Sequence, residues 1–391
     1  MVQPAHEQLR EKTKVSQSKR KSNPARKPQQ PSAVKPMPLG GMPFVGEKLL
    51  RQGFDRPTVD LMMKAYRDST KKSYTVYLKK WAFYCLRNKV PLMNPSLPQG
   101  CIFLRELSQR GLKYSAINSA RSALSAMLPL YDGKSFGSTP AVILLCRGAS
   151  TTNPSKGRYT GFWDVVEVLE LFQEWGQNEK LSLKVLTYKV VMLLLLITAQ
   201  RGQTILNLSL QDAVFERDEV TFFLQTLLKH NRAGDSLDVI TLNAFDADRD
   251  VCVVDALHEY VKRTKDLRFK DKVKSHNHQL LVSYVFPYGP VSRATLSHWT
   301  VEVLDLAGVS VQKYGGKKFG SHSTRGASTS KAKRLGVPLN LIMKQAAWRN
   351  ASSFAKFYDK RIDAQPQYGE AILQAAVREK ENSKKRRKAN Q

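Results

Sequence analysis

The residue types able to do chemistry gather in one stretch, GSHSTRGASTSKAKRLGVPLNLIMKQAAWRNASSFAKFYDK, from Gly320 to Lys360. His322 and Arg325 stand three apart and would share one face of a helix. A guanidinium fork holds two oxygens of an anion, and an imidazole moves a proton near neutral pH. Seven histidines and twenty-six arginines make one chance His-x-x-Arg unsurprising, so the motif decides nothing alone. Its company decides. Arg201 follows the apolar run Val190 to Ile197 in TAQRGQTI, at a boundary where an unpaired arginine is costly. Lys229 ends a strand beside the turn HNRAG, from which a long cation can swing toward a ligand, with Arg232 a rival in the same turn. Trp348 closes the second of three short helices, and Tyr358 rides the third with Phe354 and Phe357. Taken singly, Tyr358 would be a packing residue and Trp348 an ordinary core residue. His298 beside Trp299, and His276 with His278, lack the partner spacing of a metal site.

Elements that could position these residues follow from apolar periodicity. Tyr74, Tyr77, Leu78, Trp81 and Cys85 mark one face of a helix that Ser69 or Thr70 could cap. Lys72, Lys79 and Lys80 lie on other faces, with Lys71 at the border. The Tyr and Trp stripe reads as core packing, with base stacking the lesser use. Ile102 to Leu107, then Ile117, Ala120, Leu124 and Leu128, continue the pattern, so residues 51–147 read as an all-helical domain. Residues 148–160 are polar, contain glycine and are broken by Pro154, as an exposed linker would be. Its Lys156 and Arg158 could follow a nucleic-acid backbone. A second domain, 161–377, opens with a helix at Val165 to Phe172 and a longer one from Leu183 to Ala199, apolar nearly all round and hence buried. Val214, Val220, Phe222, Leu224, Val239 and Leu242 then alternate in runs bounded by turn signals, which predicts a small antiparallel sheet. From Asp255 the pattern is helical again, and Leu335, Gly336 and Pro338 separate the His322 helix from the next.

The charge names the class of partner. The 391 residues carry 63 Lys+Arg against 33 Asp+Glu, a formal +30, and 42% hydrophobic content is enough to bury a core. Residues 1–50 hold ten basic residues, three acids and seven of the eighteen prolines, and read as a disordered basic arm. Residues 378–391 form a basic tail with the run Lys384 to Lys388, the kind of cluster that nuclear import recognises. The two tails leave +18 on residues 51–377, a one-sided excess better suited to neutralising phosphates than to solubility alone. Cys85, Cys101, Cys146 and Cys252 lie far apart without a CxxC pair, so neither a zinc knuckle nor a disulfide scaffold is expected. The longest apolar run falls far below the ~18 residues of a membrane span, and a soluble intracellular chain without a membrane is expected.

In this order the residues resemble the catalytic set of the tyrosine recombinase (phage-integrase-like) family: Arg, Lys, His-x-x-Arg, His or Trp, then Tyr. Arg201 matches the first arginine, Lys229 the β-hairpin lysine, His322 and Arg325 the second box, Trp348 the His/Trp position and Tyr358 the nucleophile. The wording HSTRGASTSKA, GVPL and SSFAKFYDK is most similar to Crypton and DIRS types of eukaryotic mobile-element recombinase. The chain departs at Thr204, where many members carry Glu, and at Gly326, where His is common. Ten residues separate Trp348 from Tyr358, one more than in many bacterial members.

The resemblance implies a mainly α fold with a small antiparallel β-sheet: a helical SAM-like core-binding domain followed by the recombinase catalytic domain. It implies cleavage of double-stranded DNA through a 3′-phosphotyrosyl bond at Tyr358, with no metal, cofactor or ATP. Arg201 and Arg325 would hold the phosphate oxygens, Lys229 would protonate the leaving 5′ oxygen, His322 would exchange a proton near Tyr358, and Trp348 could offer its indole N–H. Lys71, Lys72, Lys79, Lys80, Lys156 and Arg158 are the expected DNA contacts. A homotetramer is expected, with residues 366–377 as an exchanged helix, and the nucleus as location. The rivals are type IB topoisomerase-like relaxation and a host-adopted DNA-binding protein that no longer cleaves.

Overall fold

Apolar residues spaced three and four apart build helices in both halves of this chain. The computed structural model describes residues 42–154, 159, 161–225, 236–269, 278–311, 313–314 and 319–362. Two compact units meet in sequence between Gly157 and Arg158.

The amino-terminal unit contains α1 (Pro43–Arg51), α2 (Arg56–Lys64), α3 (Asp68–Asn88), α4 (Leu97–Gln109), α5 (Tyr114–Met127) and α6 (Pro140–Thr152). A two-residue hairpin of β1 (Leu130–Tyr131) and β2 (Lys134–Ser135) precedes α6. Asp55 caps α2 by accepting from the Thr58 amide, and a Ser96–Gln99 capping box starts α4. On α3, Leu78, Trp81, Tyr84 and Cys85 are buried, and the Trp81 indole donates to the Leu92 carbonyl at 3.0 Å. Phe103 meets the Trp81 ring edge-on, with centroids 5.2 Å apart. The aromatic stripe is therefore core.

Two expected boundaries move. Residues 43–50, read as arm, form α1, because Pro43 presets the first turn and Met42 and Val45 bury against the other helices. Lys48 there donates to the Leu128 carbonyl at 2.8 Å, and burial pulls its pKa down. Residues 148–152, read as linker, continue α6. Cys146 and Ala149 face the core, while the Thr151 and Thr152 hydroxyls bond carbonyls four residues back, which lets polar residues stay helical.

The carboxy-terminal unit is built round α8 (Leu183–Thr198), preceded by β3 (Gly161–Phe162) and α7 (Val166–Trp175). Thirteen of its sixteen residues are buried, Lys189 among them, whose ammonium reaches the Gly176 carbonyl at 3.0 Å. α9 (Gly202–Leu206) leads into β4 (Ala213–Phe215), β5 (Glu219–Phe223) and β6 (Val239–Asn243). These form one antiparallel sheet in order, with Val220 opposite Leu242 and Phe222 opposite Ile240, and these four face the core. α10 (Val253–Thr264), α11 (Arg293–Leu306) and α12 (Ser323–Arg334) pack on α8. α13 (Leu339–Gln345), α14 (Ala351–Phe357) and β7 (Arg361–Ile362) complete the described chain. β7 pairs in parallel with β3, a contact that no sequence period announces. The fold is thus mostly helical with small sheets, and among the described residues no helix is long and apolar enough to cross a membrane.

Candidate active site

Arg201 stands where α8 turns. Ala199 ends that helix in the left-handed conformation at φ 49°, and Arg201 is the N-cap of α9. Gln200 clasps this corner to the end of α13: its amide donates to the Gln345 carbonyl at 2.8 Å, and the Gln345 amide donates to the Ile197 carbonyl at 3.1 Å. Thr204, one turn on, is buried and brings no carboxylate toward Arg201.

His322 is the N-cap of α12, and Arg325 lies in its first turn. Arg325 is 1% exposed. One guanidinium nitrogen, Nη2, donates to the Ala346 carbonyl, whereas Nε and Nη1 are buried with no partner. The guanidinium carbon lies 4.4 Å from the Trp348 ring centroid and 5.7 Å from that of Tyr358. Burial, then the neighbouring charge of Arg201, pulls its pKa down to about 9, against a smaller opposing pull from Tyr358. Among the described residues no carboxylate pairs with either arginine. Two neighbouring cations, one of them buried with two donors unused, form a site whose charge and donors an anion would complete. A phosphate oxygen supplies both the charge and the acceptors.

The phenol meets this site from α14. Tyr358 follows the last helical residue, and its hydroxyl lies 3.0 Å from Nε2 of His322. Its ring lies tilted against Trp348, with centroids 4.5 Å apart at 39°. Trp348, in the turn after α13, also touches Phe354 and so walls one side of the arginine. The Ser330 hydroxyl donates to the Tyr358 carbonyl, Lys333 pairs with Asp359, and Arg334 donates to the Lys360 carbonyl at 3.3 Å. Helix α12 therefore carries both the anion-holding arginine and the contacts that seat the phenol.

Of the residues predicted as catalytic, the structure brings together Arg201, His322, Arg325, Trp348 and Tyr358. Lys229 lies outside the described residues, as do Lys156, Arg158 and residues 366–377. Lys71, Lys72, Lys79 and Lys80 sit on α3 of the other unit; the last three are exposed, whereas Lys71 turns toward Asp68 at 3.8 Å. Sequence reasoning missed Gln200, Ser330 and Phe162. Phe162 packs so tightly on Gly326 that a Cβ there would sit 2.0 Å from the ring. The signal was a lone glycine inside a helix, which commonly marks a close approach. Among the described residues no cluster of three or more His, Cys, Asp or Glu is arranged to hold a metal ion.

Residues 166–363 match the phage integrase family. No curated protein matches the sequence. Among solved structures, the chain is similar to the XerH site-specific recombinase bound to palindromic difH substrate in a post-cleavage complex, at 17% identity, TM-score 0.50, covering 81% of this chain and 84% of that one. It is also similar to the Tn1549 transposon integrase in complex with circular intermediate DNA, at 13% identity, TM-score 0.47, covering 85% and 97%. A third is a lambda integrase dimer bound to a COC′ core site, at 14% identity, TM-score 0.46, covering 82% and 95%.

Proposed function

The chain belongs to the phage integrase family of tyrosine recombinases, and from that premise we propose that it is the site-specific DNA recombinase of a mobile element, cleaving and rejoining duplex DNA through Tyr358. The observation that carries this reading is the buried Arg325 with two unused donors beside Arg201, facing a phenol already bonded to His322. A scissile phosphate there would take its charge-stabilising hydrogen bonds from Arg201 and Arg325, which strengthen as negative charge builds on the non-bridging oxygens. His322 accepts the Tyr358 proton as the phenolic oxygen attacks phosphorus. The bond to the 5′ oxygen breaks, Lys229 supplies that oxygen's proton, and the chain holds the 3′ phosphate as a tyrosyl ester. Attack by another strand's 5′ hydroxyl reverses each transfer, so the ester conserves the bond energy and no ATP is consumed. Trp348 walls the pocket and keeps Arg325 and Tyr358 in fixed relation.

Around this chemistry we place duplex DNA gripped by both units, with Lys72, Lys79 and Lys80 on phosphates, a homotetramer exchanging residues 366–377, and a nuclear location set by Lys384 to Lys388. The motif wording GVPL and SSFAKFYDK supports an element of the Crypton or DIRS kind. A nicked suicide substrate carrying the element's ends tests the reading: a covalent protein–DNA adduct forms and is lost in Tyr358→Phe. An adduct that survives that substitution would refute the nucleophile, and no adduct on any DNA would mean binding without cleavage.

A further inference from the structure

Residues 161–164 pack on α12 and touch it at three levels. The Trp163 indole donates to the Ser323 hydroxyl at 3.0 Å, beside His322. The Phe162 ring, 1% exposed, abuts Gly326, beside Arg325. Asp164 pairs with Lys331 at 2.9 Å, beside Ser330. Ser323 and Lys331 lie eight residues apart, so these contacts span ~12 Å of helix. On its open edge the same segment holds β7, Gly161 pairing with Arg361 and Phe162 with Ile362, three and four residues after Tyr358. Helix α12 grips residues 358–360 from its own side through Ser330, Lys333 and Arg334. The chain beyond the phenol is thus fixed twice, to the helix that bears Arg325 and to the strand packed on that helix.

We propose that the segment Gly161–Asp164, anchored by Phe162 on Gly326, is a splint that holds Tyr358 for attack on the phosphate bound by the arginines of its own chain. Phe162 is a positioning residue: it touches no reacting atom, and it sets the spacing between α12 and β7. A side chain at 326 would push the ring away, so the space given up by Gly326 is what lets the strand lie close. The same packing ties the phenol to its own Arg201 and Arg325 and leaves a neighbouring subunit's pocket out of reach while β7 stays paired.

The proposal rests on the recombinase reading and is tested in two arms on the full chain. In the first, Arg325→Ala and Tyr358→Phe proteins of different size are mixed on the suicide substrate. Attack within one chain yields no adduct above that of either variant alone, whereas an adduct on the Arg325→Ala chain would overturn the proposal. In the second, Phe162→Leu lowers the single-turnover cleavage rate at saturating DNA by ~10- to 100-fold while the half-saturating DNA concentration stays within about twofold, as expected for a displaced nucleophile. The amides of residues 359–362 exchange hydrogen faster in that variant. Exchange unchanged from the wild type would sink the splint whether or not the protein cleaves DNA, which separates its failure from that of the recombinase reading.

Discussion

Replacing Arg325 with methionine should make the DNA-free protein more stable and the enzyme inactive. Methionine keeps the length and apolar stem of the side chain and removes the charge. Burial and Arg201 bring the Arg325 pKa from the usual range above ~12 to about 9. At ~1.4 kcal/mol per pH unit this corresponds to a penalty on the order of 5 kcal/mol for a charged guanidinium at this site. The sign follows from proton binding. Between about 9 and the unfolded value the unfolded chain holds the extra proton, so the penalty is complete below pH ~9 and fades as pH rises through it. Against it stand the bond to the Ala346 carbonyl, ~2 kcal/mol for a charged donor, and the stacking on Trp348, ~1 kcal/mol. The remainder favours Arg325→Met by on the order of 2 kcal/mol, several degrees in Tm for a unit of this size. Differential scanning calorimetry at pH 7, with and without sulfate, reads it. Sulfate bound at a hundred times its Kd should restore ~2.7 kcal/mol to the wild type and nothing specific to the variant. A variant melting several degrees below the wild type, with equal sulfate gains in both, would show that the guanidinium is already paired and refute the anion pocket.

Exchanging Lys72, Lys79 and Lys80 for glutamine should weaken DNA binding and flatten its dependence on log salt by ~2.7, from ~0.9 per phosphate contact. Fluorescence anisotropy at several salt concentrations measures this, and an unchanged slope would remove α3 from the interface. Gly326→Ala should lower stability by ~1–3 kcal/mol through its clash with Phe162, and adding Phe162→Leu should recover part of that; thermal melts of the three proteins decide. Trp348→Phe keeps a ring against Arg325 and Tyr358, whereas Trp348→Ala opens a cavity worth ~3–5 kcal/mol, so only the alanine variant should both melt early and cleave slowly.

Much of this site could be read in the chain because its residues sit at element ends that composition marks. The apolar run to Ile197 had to stop, and the polar corner after it holds Arg201. His322 and Arg325 share a helix face by spacing alone, and the turn at Gly336, φ 84°, ends that helix where a glycine was expected. Contacts that join distant segments carry no such mark. Nothing periodic relates Phe162 to Gly326, or β3 to β7 two hundred residues on, and both depend on one ring fitting against one bare backbone. The same holds for α1, which lies in a basic, proline-rich stretch that reads as arm although Met42 and Val45 bury against the other helices. Residues 148–152 read as linker because the stretch is polar, contains glycine and is broken by Pro154, yet the Thr151 and Thr152 hydroxyls are satisfied by their own helix.

In the proposed mechanism Tyr358 becomes joined to DNA. Digesting the trapped adduct with a protease and a nuclease and sequencing the DNA-bearing peptide by mass spectrometry measures this directly. A single modified residue is expected, Tyr358, esterified to a 3′ phosphate with a free 5′ hydroxyl on the other strand end. Modification of any other residue, or a 5′-phosphate linkage, would contradict it.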